Sequence, residues 1–298
     1  MENTPLKIIS DDPWLKPYAD AIEGRHLDAM HKLHDLTRHG TLVDFANAYN
    51  YFGLHKRKGG GYVFREYAPN ASSVALIGDF TKWHDDDRFR CSNIGDGVWE
   101  LIIPRGRIHN GDYYKMIVTW PGGRGERIPA YATRVVQDPD THIFAAQVDS
   151  PARPYRFRVR DFRPTTDPLL IYECHIGMAT EQEKVGTYNE FTDNVLPRIA
   201  ADGYNAIQIM AIQEHPYYGS FGYHVSSFYA PSSRFGSPDD LRRLIDTAHQ
   251  LGLAVIMDIV HSHAVKNEAE GLALIDGDPN LYFYSGDRHT HPAWDSLL

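Results

Sequence analysis

Two short apolar runs joined by a helix with clear start and stop signals most limit what this chain can fold into. Ala206-Ile207-Gln208-Ile209-Met210 and Leu253-Ala254-Val255-Ile256-Met257 each have strand length. Between them Ser237 stands as an N-cap, Pro238 at the first helical position, and Asp239 and Asp240 at the positive end of the helix dipole. Leu241, Leu244, Ile245, Ala248 and Leu251 then recur at helical spacing, and Gly252 stops the run. Upstream, Leu169-Leu170-Ile171-Tyr172-Glu173-Cys174 reads as a strand and Phe191 to Ala201 as a helix that Pro197 should kink. Strand and helix in alternation build a parallel sheet, and the nearly all-apolar run at Leu253 suits a parallel strand covered on both sides. Three such strands leave an open edge. The segment is therefore expected to be the front of either a doubly wound sheet or a (β/α)₈ barrel, and the chain part of a longer protein.

The rest of the chain has two other textures. From Pro13 to about Leu54 the pattern is helical: Leu27, Met30, Leu33 and Leu36, then Leu42, Phe45, Ala46 and Tyr49, with a break at Arg38-His39-Gly40-Thr41. From Tyr62 to Val148 it changes to short β-branched and aromatic runs: Tyr62–Tyr67, Val74–Ile77, Val98–Ile103 and Tyr113–Val118. Turn formers separate them, namely Pro69-Asn70, Gly95-Asp96-Gly97 and Pro121-Gly122-Gly123, which predicts a small antiparallel sandwich. The expected organisation is a helical segment over 1–56, a β-sandwich over 57–150, a Pro- and Arg-rich linker over 151–168, and the parallel α/β part over 169–298.

Charge and cysteine content exclude several classes. Thirty Lys and Arg against 39 Asp and Glu give a net charge of −9, and the densest basic run, Lys56-Arg57-Lys58, is too short to track phosphates. No nucleic-acid partner is expected. Cys91 and Cys174 form no framework and are expected to be free thiols in a reducing cytosol. Met1-Glu2-Asn3-Thr4-Pro5 lacks the pattern of a secretory signal, and no apolar run is long enough to span a membrane. A soluble, cytoplasmic chain is expected.

In parallel α/β folds, chemistry gathers at the carboxyl ends of the strands. The third strand ends in Asp258-Ile259-Val260-His261-Ser262-His263, and the loop before the helix carries Gly219, Phe221, Gly222, Tyr223, His224 and Tyr229. Two chemistries suit this set. His261-x-His263 places two imidazoles on one side of an extended segment, as metal ligands require. Alternatively, Asp258 and His263 hydrogen-bond a polyhydroxylated substrate, with Tyr223 as a stacking platform. A third reading is purely structural, a strand-end Asp and His satisfied by their surroundings.

Met257-Asp258-Ile259-Val260-His261-Ser262-His263 resembles the first signature region of the α-amylase superfamily, glycoside hydrolase family 13. Ser220-Phe221-Gly222-Tyr223-His224-Val225 and Phe228 to Pro238 resemble the preceding loop in its branching-enzyme subgroup, and Tyr172–Gly177 and Met210–His215 follow in family order. Asp12–Tyr18, Tyr51–His55 and Phe64–Pro69 resemble the N-terminus of the eukaryotic-type members. Gly78-Asp79-Phe80-Thr81-Lys82-Trp83 resembles a family 48 carbohydrate-binding module. The resemblance implies that 169–298 begins a (β/α)₈ catalytic barrel. It implies that Tyr223 stacks on the sugar at which the glycosidic bond is cut, that His263 bonds that sugar's 6-hydroxyl, and that Asp258 supports the site without being the nucleophile. Ser262 stands where many relatives carry a calcium-binding Asn, so no metal is expected, nor any cofactor. In the module, Trp83, Lys115 and Trp120 fall near glucan-contacting positions, with packing against the catalytic part the other role open to Trp83.

The implied reaction cleaves an α-1,4 bond, holds the oligosaccharide on an Asp, and passes it to a 6-hydroxyl as an α-1,6 branch. It needs two carboxylates about 5–5.5 Å apart, the nucleophile in an Arg-x-Asp context. Only 35 residues follow His263 and none supplies that context, while Glu268 and Glu270 lie in a polar stretch. The catalytic carboxylates are thus expected beyond Leu298, with an α-1,4-glucan as partner, a monomeric state, and no turnover by these 298 residues alone. A debranching or amylolytic hydrolase and a non-catalytic glucan binder are the alternatives.

Overall fold

The computed structural model describes residues 6–37, 40–165 and 167–298, and the chain divides into two units, Met1–Tyr51 and Phe52–Leu298. In the first, α1 (Lys7–Asp11) leads through a tight turn at Pro13–Tyr18 into α2 (Ala19–Leu36) and then α3 (Leu42–Phe45). Asp12 opens the turn by accepting from Trp14 N at 3.0 Å. Thr41 and Asp44 close a reciprocal capping box on α3, with Thr41 N donating to Asp44 Oδ2 at 2.7 Å. The break expected after Leu36 is where α2 ends, although Arg38 and His39 lie outside the described residues.

The second unit opens with a correction to the expected boundary at residue 56. Gly53–Lys56 is a strand, β1, paired antiparallel to β2 (Tyr62–Tyr67), so the sandwich begins before residue 57. β3 (Ser73–Gly78), β4 (Ser92–Gly95), β5 (Val98–Ile103), β6 (Tyr113–Trp120), β7 (Gly123–Arg127), β8 (Val135–Gln137) and β9 (Phe144–Gln147) follow. One sheet has the order β1-β2-β5-β4, and the other β3-β6-β9-β8 with β7 on β6. Alternation sends Phe64, Leu101 and Ile103 from the first sheet, and Leu76, Met116 and Val118 from the second, into one core. The same alternation on β2 buries Glu66, which accepts from Tyr67 N at 3.1 Å and Ala130 N at 3.0 Å.

Past the linker, β10 (Ile171–Cys174), β11 (Ala206–Ile209) and a later strand align in parallel. The helix between β10 and β11 has a first turn, α4 (Tyr188–Glu190), a π turn at Phe191–Val195, and α5 (Leu196–Ala201). The expected kink at Pro197 takes this form: the wider turn lets Leu196 N reach Phe191 O just before the proline, which has no N–H to give. A two-stranded antiparallel pair, β12 (Gln213–Glu214) and β13 (Ser227–Pro231), precedes α6 (Pro238–Gln250) and β14 (Ala254–Met257), and the parallel sheet has the order β10-β11-β14. Ser237 caps α6 as expected, donating from its N to Asp240 Oδ2 at 2.8 Å and accepting from Asp240 N at 3.2 Å. Leu241, Leu244 and Ala248 bury against Ile207, Ile209 and Leu253. The two-sided cover expected of the run at Leu253 is partial: Leu253 and Ala254 are buried, with α5 and α6 packed on one face of the sheet, while Met257 at the strand's end is 41% exposed. A last small sheet pairs β15 (Ala264–Val265) and β16 (Thr290–His291) with β17 (Ser296–Leu297).

Sandwich and α/β part are joined by polar and aromatic contacts. Asn70 N donates to Asp276 Oδ2 at 2.9 Å, Arg127 Nε to Leu274 O at 3.0 Å, and Tyr131 stacks on Tyr229 with centroids 4.7 Å apart. The linker is held by Asp246 of α6, whose buried carboxylate accepts from Tyr155 Oη at 2.9 Å and Val159 N at 3.0 Å.

Candidate sugar-binding site

The loop between β12 and β13 is shaped by backbone that few residues tolerate. Phe221 and Gly222 have φ of +53° and +91°, and a Cβ at Gly222 would lie 1.7 Å from Ala211 O. Only glycine fits there. The turn delivers Tyr223 to the end of β14, where its hydroxyl donates to Asp258 Oδ2 at 2.8 Å. Asp258 is itself anchored, its N donating to Ile209 O at 3.0 Å as an extension of the parallel pairing. Burial first, then the adjacent Asp258 carboxylate, pushes the Tyr223 phenol up to about 12, so it stays a proton donor. His263 Nε2 donates to Tyr223 O at 2.7 Å, and its Nδ1 accepts from Ser262 Oγ at 3.0 Å. Tyr223, Asp258 and His263 are therefore brought together.

Two details differ from the simplest reading of the sequence. Both ring nitrogens of His263 are engaged, Nε2 with the Tyr223 carbonyl and Nδ1 with the exposed Ser262 hydroxyl. His261 turns elsewhere, its Nδ1 lying 3.2 Å from the Ile259 carbonyl oxygen, so the two imidazoles serve different partners. Among the described residues no group of three or more His, Cys, Asp or Glu could hold a metal ion.

On the sandwich, Trp83 and Lys115 share a groove of about 500 Å³ that Asp79, Tyr113 and Glu126 also line. Trp83 has φ of +62°, is 40% exposed, and is aimed by Nε1 donating to Asp79 Oδ1 at 3.1 Å. Lys115 is buried, and its Nζ donates to Glu126 Oε2 at 3.3 Å. Trp120 does not join them. Its ring lies under the Arg127 guanidinium at 5.1 Å and against Gly277, where a Cβ would come 2.2 Å from Trp120 Cδ1. The packing role left open for Trp83 thus falls to Trp120.

Comparison with known proteins agrees with this layout. Residues 51–139 match carbohydrate-binding module 48 (isoamylase N-terminal domain), and residues 178–273 match the α-amylase catalytic domain. The 1,4-α-glucan-branching enzyme of Yarrowia lipolytica is 42% identical over 98% of this chain and 43% of its own length. That of Rhizophagus irregularis is 44% identical over 100% of this chain and 44% of its own. A pullulanase variant from Paenibacillus barengoltzii, solved with maltotetraose, shares the fold with a TM-score of 0.59 at 19% identity, over 72% of this chain and 38% of that one. The two matched regions of this chain are thus similar to a carbohydrate-binding module and to part of an α-amylase catalytic domain. The chain spans less than half the length of the curated relatives it matches.

The structure adds residues that sequence reading left unassigned. Gln213 ties the two site loops together, its Oε1 accepting from Val260 N at 3.1 Å and its Nε2 donating to Phe228 O at 2.9 Å. Glu214 is wholly buried, accepting from Ser233 N at 2.7 Å and Arg234 Nη1 at 3.4 Å. Burial raises the pKa of Glu214 and lowers that of Arg234, each toward its neutral form, while their attraction opposes both shifts. A Gln-Glu pair closing an apolar strand was the available signal. His215 beside them is held neutral, pushed down to about 4 by burial. Across the sandwich boundary, Tyr131 and Tyr229 border a cleft of about 330 Å³ that reaches His261 and His263.

Proposed function

We propose that the protein to which this chain belongs is a 1,4-α-glucan-branching enzyme. The observation that carries the proposal is the Tyr223–Asp258–His263 set at the end of β14, in a chain that aligns over nearly its whole length with proteins of that name. The substrate class follows from chemistry. A half-buried Tyr ring offers a flat apolar face to a pyranose, and the Ser262–His263 pair offers an exchangeable proton to its hydroxyls. Asp258 holds the Tyr223 hydroxyl and so the ring's tilt, a positioning task. The Trp83–Lys115 groove would hold a second stretch of α-glucan on the sandwich, an exposed indole for stacking and an ammonium for the hydroxyls.

Bond cleavage and transfer need an Asp nucleophile and a Glu acid/base about 5–5.5 Å apart. Under this reading both come from the portion of the relatives that this chain does not span, and residues 1–298 bind glucan without turning it over. The two cysteines, buried and free, are in keeping with a reducing cytoplasm.

The test compares the complete protein with the 298-residue chain on linear amylose, counting α-1,6 linkages by NMR beside new reducing ends. New branches without matching reducing ends are expected from the complete protein, and neither product from the short chain. Reducing ends without branches would make the protein a hydrolase, and branching by the short chain would place the carboxylates within it.

A further inference from the structure

The small sheet after the site carries an aromatic ring to which neither sequence reading nor comparison gives a role. β17 pairs with β15 through Ala264↔Leu297 and Val265↔Ser296, and with β16 through Thr290↔Leu297 and His291↔Ser296. Register therefore ties the β16–β17 turn to the two residues that directly follow His263. The turn itself is tightly specified. Ala293 N and Trp294 N both donate to His291 Nδ1, at 3.2 and 3.1 Å, and Asp295 takes a left-handed φ of +49°. Its effect is to lay the Trp294 indole flat on the His291 ring, with centroids 3.9 Å apart and planes at 15°, and 5.2 Å from the His263 ring.

Trp294 is nonetheless 51% exposed. Leaving that much indole in water forgoes the gain of burying it, and here the backbone and an imidazole brace it in the open position. Its surroundings are polar: the Ser262 hydroxyl lies one residue from His263, and Lys266 pairs with Asp295 beside the ring. An apolar face rimmed by hydrogen-bonding groups suits a ligand that is itself apolar on one face and hydroxylated at its edge, which describes a glucosyl unit better than a peptide side chain.

We propose that Trp294 is a sugar-stacking platform holding a glucosyl ring of an α-glucan next to the ring held at Tyr223, and so a determinant of which chains are accepted. The proposal rests on the glucan reading above. Trp294→Ala and Trp294→Phe in the complete protein test it, with steady-state kinetics on amylose and thermal unfolding measured for both. Loss of one aromatic stack is expected to raise KM about tenfold in the Ala variant, with kcat changed less than about threefold, and the Phe variant should recover most of the affinity. The unfolding temperature should not move. Unchanged KM would overturn the platform. So would a lowered unfolding temperature with no recovery by Phe, because the ring would then be packing against the remainder of the protein. A wild type that neither binds nor branches glucan would remove the functional reading and this inference together, whereas a working wild type with an unaffected Ala variant would remove this inference alone.

Discussion

A single backbone position decides whether the candidate site exists. Gly222 sits at φ +91° with Ala211 O where a side chain would begin, so Gly222→Ala meets both strain and a clash. It is expected to cost more than about 2 kcal/mol and to pull Tyr223 off Asp258, since the turn at Phe221 and Gly222 sets where the tyrosine ring lies. Chemical denaturation of the variant together with maltoheptaose binding checks this; wild-type stability and affinity would refute it. The sequence placed Gly222 in the right loop, yet the reason it must be glycine is the Ala211 carbonyl eleven residues earlier. Local signals gave no hint of that contact.

At the scale of elements, α6 does more than cover the sheet. Its apolar face buries against β11 and the start of β14, and its opposite flank sends Asp246 into the linker, where Tyr155 Oη, Arg158 N and Val159 N all donate to it. Removing that carboxylate leaves two backbone donors without their acceptor, so Asp246→Ala should lower stability by about 2–4 kcal/mol and make the linker near Arg158 a site of limited proteolysis. Cleavage at the wild-type rate would show that the linker is held by other contacts. The capping of α6 and its apolar repeat were legible because they are written within one turn of each other. The linker's attachment was not, because its partners lie nearly ninety residues apart. The strands β4, β7, β8 and β9 went unread for a related reason: they are short or rich in Gly, Ser, Arg and Gln, and their neighbours in the sheet supply the order that their own propensity lacks.

For the whole second unit, Glu66 makes stability depend on pH. Burial in the sandwich core pushes its pKa up from 4.5 to about 8, against the pull of two backbone N–H donors. Below about pH 4.5 the folded and unfolded chains both hold the proton; between there and about pH 8 the folded chain keeps a proton that the unfolded chain has released. Its contribution to stability is thus full at low pH and declines as pH rises through that window. Glu66→Gln, which stays neutral, should flatten this decline, and the difference in unfolding temperature between variant and wild type should grow from about pH 5 to about pH 8. A difference that does not vary with pH would show that Glu66 is already ionised in the fold. The same interior surrounds Cys91 and Tyr114, whose protons burial also retains.

Sequence by itself determined the alternation of strand and helix after residue 169, the caps of α6, the antiparallel character of the sandwich, and the placing of Asp258 and His263 at a strand end. All of these are fixed by spacing over a few residues, where periodicity and backbone sterics act. Only the tertiary structure decided that the Tyr223 hydroxyl meets Asp258, that Lys115 lies with Trp83 while Trp120 packs on Gly277, that both nitrogens of His263 are already engaged, and that Trp294 stands open beside it. Those outcomes depend on which distant surfaces are buried against each other and which polar groups are then left to find partners, a balance settled only when the whole unit closes.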